Sequence, residues 1–168
     1  MVQVNLKDYF SFYELSPSFQ IDSSVLKRKY IEYSKQFHPD LHLDDIQMQT
    51  ELMQLSAYNN KAYKTLKEDI SRAQYLVDIM HPTDSNHAIQ LPQDFLMEMM
   101  DFNELIDEQA IEKTDSFGSL NNTCLELKEQ IKTEINENAT QEHWMALQIS
   151  LLMWRYIERL EFRIHALN

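Results

Sequence analysis

The chain contains a single glycine, Gly118, among its 168 residues. Tight hairpins between strands depend on residues that tolerate a positive φ, usually glycine or the dipeptide Asn-Gly, and this dipeptide does not occur in the sequence. Phosphate-binding loops and dinucleotide fingerprints need several glycines in one short stretch, so both are excluded. The scarcity of glycine therefore argues against sheet-rich folds and favours an all-α protein.

The remaining composition suits a packed helical core in a reducing compartment. Apolar residues make up 43% of the chain, including nine Met, eight Phe and eight Tyr. The one cysteine, Cys124, excludes an internal disulfide and a paired-cysteine metal site. We find no apolar run of about 18 residues and no secretory or organelle signal in residues 1–7. These features lead us to expect a cytoplasmic protein that makes no contact with a membrane.

Charge is distributed unevenly along the chain, whose net charge is −12. Residues 1–75 hold nine Lys or Arg and ten Asp or Glu, a balance of −1, whereas residues 76–168 hold six and seventeen, a balance of −11. An acidic half repels phosphate backbones, so we expect no nucleic-acid ligand. The asymmetry predicts two surfaces with different partners.

Apolar residues recur at steps of three and four along most of the chain, which predicts amphipathic helices. Asp22 and Thr140 stand where helix N-caps are expected. Residues 81–93, with two prolines and several turn-forming residues, read as a linker. The predicted helices cover residues 6–15, 22–37, 45–67, 70–80, 94–113, 116–138 and 140–166.

This pattern predicts a chain in two helical parts. Residues 1–75 form the first part, and residues 76–92 form a linking helix and loop. Residues 93–168 hold three amphipathic helices with short connections, which is typical of an antiparallel three-helix bundle.

A basic helix leads directly into the tripeptide His38-Pro39-Asp40. The basic residues are Lys27, Arg28, Lys29 and Lys35, and another amphipathic helix follows the tripeptide. In this arrangement the chain resembles a J domain, a helical hairpin with an HPD loop by which co-chaperones stimulate DnaK-type ATPases. The plainer alternative is an ordinary exposed turn between two helices.

The resemblance assigns the chaperone contact to the basic helix and the loop. A solvated cationic strip steers a partner and sets register more than it adds affinity. Asp40 would accept a charge-assisted hydrogen bond from a chaperone arginine, and Pro39 would keep the loop stiff. Leu41 stands where general J domains commonly have lysine. The implied chaperone-binding residues are Lys27, Arg28, Lys29, Lys35, His38, Pro39 and Asp40.

Further segments extend the likeness over nearly the whole chain. Asp8-Tyr9-Phe10, Phe19-Gln20-Ile21-Asp22, Arg72-Ala73-Gln74-Tyr75-Leu76 and Phe95-Leu96-Met97-Glu98-Met99-Met100 are similar to the HscB family, the J-domain co-chaperones of iron–sulfur cluster assembly. The resemblance implies a protein that breaks no bond itself. It would stimulate the ATPase of a DnaK-type chaperone, HscA, and deliver the iron–sulfur scaffold protein IscU to it.

The helix predicted at 94–113 carries apolar residues on more than one face. Such a helix is either buried on several sides or adhesive on one, and extra methionines are commonly core filler. In the HscB family this helix binds the scaffold protein. Asp101 stands where Glu is more usual, and Tyr156 where Phe is more usual. The implied scaffold-binding residues are Leu96, Met97, Met100, Asp101, Glu104, Glu108 and Tyr156.

Two alternative functions stay open at this point. One is a J-domain co-chaperone with a different client, and the other is a metal-binding helical-bundle enzyme. His38 and His42 are four apart, but Pro39 interrupts the helix that would align them as metal ligands. The sequence has no Glu-x-x-His pair of the kind used by di-iron bundles. We therefore expect no metal and no cofactor. Metal in the purified protein, or catalysis without a chaperone, would favour the enzyme.

Overall fold

The computed structural model describes residues 7–42, 45–82, 89–112 and 117–167. These residues form seven α-helices and one 3₁₀ turn, with no strand among them, so the predicted all-α fold class is confirmed. The chain divides into two compact units, Met1–Met80 (unit 1) and His81–Asn168 (unit 2). Residues 83–88 of the predicted linker lie outside the described residues.

Unit 1 is built around a helical hairpin, in which α2 and α3 pack together and the 3₁₀ turn lies between them in the chain. The predicted cap of α2 is confirmed, since the Asp22 carboxylate accepts hydrogen bonds from the backbone N–H groups of Ser24 and Val25. These hydrogen bonds hold the pKa of Asp22 below its ordinary value, and the bond from Val25 has the largest effect. The helices are α1 (Tyr9–Phe12), α2 (Ser23–Gln36), α3 (Ile46–Lys67) and α4 (Asp69–Met80), and the 3₁₀ turn is Pro39–His42.

The first helix, α1, is shorter than the predicted 6–15. It ends because Glu14 adopts a φ of 52°, which reverses the chain and lets the Leu15 N–H donate to the Phe10 carbonyl at 2.9 Å. A helix of one turn is unstable by itself. Tertiary packing holds it, since the buried Phe12 ring meets the rings of Tyr33 and Tyr58 edge-on at centroid distances of 5.1 and 4.9 Å.

Asn59 on α3 is a buried polar residue inside this apolar hairpin. Its side-chain oxygen accepts a hydrogen bond from the Tyr13 hydroxyl at 2.6 Å. Its amide nitrogen donates to the Tyr30 carbonyl at 3.2 Å and to the Ser34 hydroxyl at 3.1 Å. A satisfied polar group of this kind specifies one arrangement of its neighbours. Asn59 therefore fixes the register of α2 against α3, which in turn positions the loop between them.

Arg72 on α4 is likewise buried and bonded. Its guanidinium donates to the carbonyls of Phe19 and Leu66, both at 2.6 Å, and pairs with the Asp69 carboxylate. It also lies 5.1 Å from the centroid of the Phe19 ring. One side chain thus joins the end of α3, the start of α4 and the loop before α2.

Unit 2 is a three-helix bundle in which α6 and α7 form an antiparallel hairpin and α5 packs against both. Contacts between α5 and α7 advance in the same direction, from Phe95 with Tyr156 to Asn103 with Arg163, so these two helices are parallel. The helices are α5 (Gln93–Glu112), α6 (Phe117–Thr140) and α7 (Trp144–Leu167). The core includes Phe95, Met99, Phe102, Ile106, Leu120, Cys124, Ile131, Ile135, Leu147, Leu151, Ile157, Leu160 and Ile164.

The predicted cap of the last helix at Thr140 is wrong, because Thr140 is the final residue of α6. Its hydroxyl donates to the Asn136 carbonyl one turn earlier at 2.7 Å. The chain then reverses at Glu142, whose φ is 57°, and the His143 N–H donates to the Asn138 carbonyl at 2.8 Å. Glu142, which follows the end of the helix, thus has a left-handed backbone conformation, which glycine usually adopts at this position.

Candidate functional site

The loop after α2 presents the Asp40 carboxylate to solvent. The Asp40 backbone N–H donates to Nδ1 of His38 at 3.3 Å, and a carboxylate oxygen of Asp40 lies 3.6 Å from the same nitrogen. Both side chains are more than half exposed, and Pro39 between them is half-buried. The predicted loop residues therefore form a short braced turn with an accessible acceptor.

The basic residues before the loop do not all share one side of α2. Lys27, Arg28 and Lys35 are exposed, and Ile31 lies among them with an exposed side chain. Lys29 is placed apart, about 200° around the helix from Lys27 at 100° per residue. Its side chain is only 18% exposed and pairs with the Glu14 carboxylate. The solvated strip thus consists of three cations around Ile31, while a chaperone contact by Lys29 stays a prediction.

The second candidate site is the outward side of α5. Leu96, Met97 and Met100 are 38%, 60% and 64% exposed, whereas Phe95 and Met99, which precede Leu96 and Met100 in the chain, are buried in the bundle. At 100° per residue the three exposed side chains fall within about 100° of one another, away from the core. Met97 and Met100 are therefore not core filler, and an exposed apolar cluster of this kind is typical of an interaction surface.

Acidic side chains flank this cluster. Asp101, Glu104 and Glu108 are exposed on the same helix. Asp101 follows Met97 by four residues, and Glu104 and Glu108 follow Met100 by four and eight, which keeps all three on one edge of the cluster. We call the exposed set of Leu96, Met97, Met100, Asp101, Glu104 and Glu108 the α5 face.

Tyr156 of α7 borders the α5 face. Its ring meets Phe95 of α5 edge-on at a centroid distance of 5.8 Å, and Nδ2 of Asn103 lies 3.5 Å from its hydroxyl oxygen. Asn103 lies seven residues, or two turns, after Leu96, so both occupy one stripe of α5. The structure thereby brings the half-buried Tyr156 beside the stripe that carries Leu96.

One further exposed apolar residue on this side of α5 was not predicted from the sequence. Ile111 is exposed and lies eleven residues, or about three turns, beyond Met100. The same helical step that joins Met97 to Glu108 would have identified it. Arg163 of α7 also closes the border, because its guanidinium donates to the Asn103 side-chain oxygen at 2.7 Å and pairs with Asp107.

Other chemistry-bearing residues lie elsewhere. Cys124 is buried in α6, and burial raises the pKa of its thiol to about 11. Within the described ranges, no three His, Cys, Asp or Glu side chains come together in a way that could hold a metal ion. None of the helices described is both long and apolar enough to cross a membrane.

Comparison with known proteins identifies the family. A family model described as the HSCB C-terminal oligomerisation domain matches residues 91–165. The co-chaperone protein HscB homolog of Haemophilus ducreyi is 30% identical over 165 residues, which cover 95% of this chain and 94% of that protein. The chain belongs to the HscB co-chaperone family. The HscB homolog of Shewanella denitrificans is 34% identical over 124 residues, covering 67% of this chain and 71% of that relative.

A solved structure extends the comparison to the fold. The crystal structure of human co-chaperone protein HscB superimposes with a TM-score of 0.82 at 22% identity, covering 96% of this chain and 82% of that one. The predicted architecture, a J domain followed by a helical C-terminal domain, is confirmed. The prediction of a co-chaperone rather than an enzyme is confirmed by the family to which the chain belongs.

Proposed function

We propose that this protein stimulates the ATPase of a DnaK-type chaperone, HscA, and delivers the iron–sulfur scaffold protein IscU to it for cluster assembly and transfer. The observation that carries the proposal is the exposed α5 face, an apolar cluster with an acidic edge that the bundle does not use. We also propose a bacterial cytoplasmic location, because the HscB homologs of Haemophilus ducreyi and Shewanella denitrificans are bacterial proteins.

The chaperone contact is proposed for unit 1. The exposed Asp40 carboxylate would accept a charge-assisted hydrogen bond from a chaperone arginine. The turn is already braced by the hydrogen bond between Asp40 and His38, so little ordering entropy is lost on docking. The exposed cations Lys27, Arg28 and Lys35 would steer an acidic surface of the chaperone toward the loop.

The scaffold contact is proposed for unit 2. Leu96, Met97 and Met100, with Tyr156 beside them, are large enough to act as anchors, and truncating such anchors typically costs about 2 kcal/mol or more. The acidic edge would attract a basic surface of the scaffold from a distance. Exposed charges of this kind mainly raise the association rate, and salt screens them.

The test is the binding kinetics of immobilised IscU with variants of this protein across a salt series. Leu96→Ala should raise the dissociation rate at every salt concentration, because it removes a desolvated anchor. Glu104→Gln should mainly slow association, and its effect should shrink as salt rises. Leu105→Ala is the matched control, since Leu105 is also exposed on α5 but points about 180° away from Leu96.

Two outcomes would contradict the proposal. An unchanged dissociation rate for Leu96→Ala would remove the apolar anchor from the interface. Failure of the wild-type protein to bind IscU, together with normal stimulation of HscA, would favour a co-chaperone with a different client.

The combined change of Met97, Met100 and Tyr156 to alanine should weaken scaffold binding. The same variant should still stimulate HscA normally when no scaffold is present.

A further inference from the structure

A second surface of unit 2 lies on α7, next to Tyr156 but outside the α5 face. It is an open groove lined by Leu152, Arg155, Glu158, Arg159 and Phe162. The Phe162 side chain is 76% exposed, which is unusual for an aromatic residue. Large apolar side chains beside arginines are enriched in protein interfaces. We call these five residues the α7 groove.

The α7 groove is continuous with the α5 face through Tyr156. The Arg159 guanidinium lies 5.5 Å from the centroid of the Tyr156 ring, and the same ring meets Phe95 of α5 edge-on. The Arg159 Nε also donates to the carbonyl of Arg155, one turn earlier, at 3.3 Å. A partner that covers Tyr156 would therefore reach Arg159 without leaving the surface.

The two surfaces differ in charge. Residues 76–168 contain only six Lys or Arg against seventeen Asp or Glu. Lys128 pairs with Glu161, and Arg163 pairs with Asp107. Arg159, in contrast, forms no ion pair with any carboxylate in the described part of the chain, and it is exposed.

We propose that the α7 groove is the second half of the scaffold-binding surface and receives an acidic segment, carrying one large apolar side chain, of the same partner. This inference rests on the proposed function. Charges of opposite sign on either side of Tyr156 would admit the partner in one orientation only, because the reversed orientation brings like charges together. Glu158 is the carboxylate among the five residues of the α7 groove, and Arg159 is the cation that would meet the acidic segment.

Replacing Arg159 distinguishes a direct contact with an acidic segment from long-range attraction by the acidic protein as a whole. Arg159→Gln makes an already acidic protein one charge more negative. If the scaffold were drawn only by the acidic field, this change would strengthen binding. If Arg159 meets an acidic segment, the change should weaken binding by about threefold, the usual scale of an exposed ion pair. Arg159→Lys should retain most of the wild-type affinity because it retains the charge.

Phe162→Ala supplies the apolar part of the test. It should raise the Kd for IscU by about tenfold, since truncation of an interface aromatic commonly has an effect of this size. Leu125→Ala is the matched control, because Leu125 is an exposed apolar residue of the same unit on α6. It should change the Kd by less than about twofold. Thermal midpoints followed by tryptophan fluorescence should be equal for all these variants.

The outcomes distinguish the two proposals. If Leu96→Ala weakens IscU binding but Arg159→Gln and Phe162→Ala do not, the α7 groove is excluded and the proposed function stands. If the wild-type protein does not bind IscU, both fail. The alternative occupant of the α7 groove is a second copy of this chain. Sedimentation velocity of the protein alone tests whether it self-associates. Loss of self-association in Phe162→Ala, with IscU binding unchanged, would overturn the inference.

Discussion

Replacing Arg72 with methionine should destabilise unit 1 selectively. The arginine is buried, and its guanidinium joins the Phe19 and Leu66 carbonyls to the Asp69 carboxylate. Methionine has a similar length and no charge, so it preserves packing while removing every donor. The change therefore isolates the contribution of the hydrogen bonds that fix α4 against the loop before α2.

The size of the effect follows from those contacts. A hydrogen bond from a charged donor contributes about 1.5–3 kcal/mol, and two buried carbonyls lose such a donor. The Asp69 carboxylate adds little, because it is 32% exposed and water can replace its partner. The lower end of the range gives a loss of about 3 kcal/mol in the free energy of unfolding. With a urea dependence of about 1.5 kcal/mol per molar, the midpoint of unit 1 should fall by about 2 M.

The two units carry separate spectroscopic reporters. Both tryptophans, Trp144 and Trp154, lie in unit 2, whereas seven of the eight tyrosines lie in unit 1. Near-ultraviolet circular dichroism of tyrosine should therefore show the shifted transition, while tryptophan fluorescence should not. Arg28→Met is the matched control, since Arg28 is exposed in the same unit and should change stability by less than about 0.5 kcal/mol. A shift below about 0.5 M for Arg72→Met would refute the reasoning, as would an equal shift in both signals.

Two further predictions concern unit 2. Glu142→Gly should raise its stability by about 1 kcal/mol, because glycine adopts the φ of 57° without the steric penalty that glutamate meets. An unchanged or lower midpoint in tryptophan fluorescence would contradict this. Native Cys124 should react slowly with a thiol reagent near neutral pH, since burial raises its pKa to about 11 and keeps it protonated. Labelling of the native protein at the rate of the urea-unfolded chain would contradict the assignment of a buried, structural thiol.

The long helices could be predicted because their apolar residues repeat with the helical period over many turns. The core positions Phe95, Met99, Phe102 and Ile106 are an example, and all four are buried. The length of α1 could not be predicted, because aromatic packing from distant segments decides it. The end of α6 was misplaced because Glu142 adopts a left-handed conformation that glutamate seldom takes.

The candidate site shows the same division. The resemblance named Met97 and Met100, but periodicity alone could not separate an interaction surface from core filler, and only their exposure does so. Lys29 was grouped with its neighbours because its partner, Glu14, is fifteen residues away in the chain. Phe162 was missed because it belongs to no motif, and its significance depends on the contact between Arg159 and Tyr156.

We propose that unit 1 activates a DnaK-type ATPase through the exposed Asp40 carboxylate. The most direct test is the ATP hydrolysis rate of HscA titrated with wild-type protein and with Asp40→Asn. We predict stimulation by the wild type and none by the variant, with equal thermal midpoints for both proteins, because the Asp40 side chain is exposed. Near-normal stimulation by a folded Asp40→Asn variant would contradict the account.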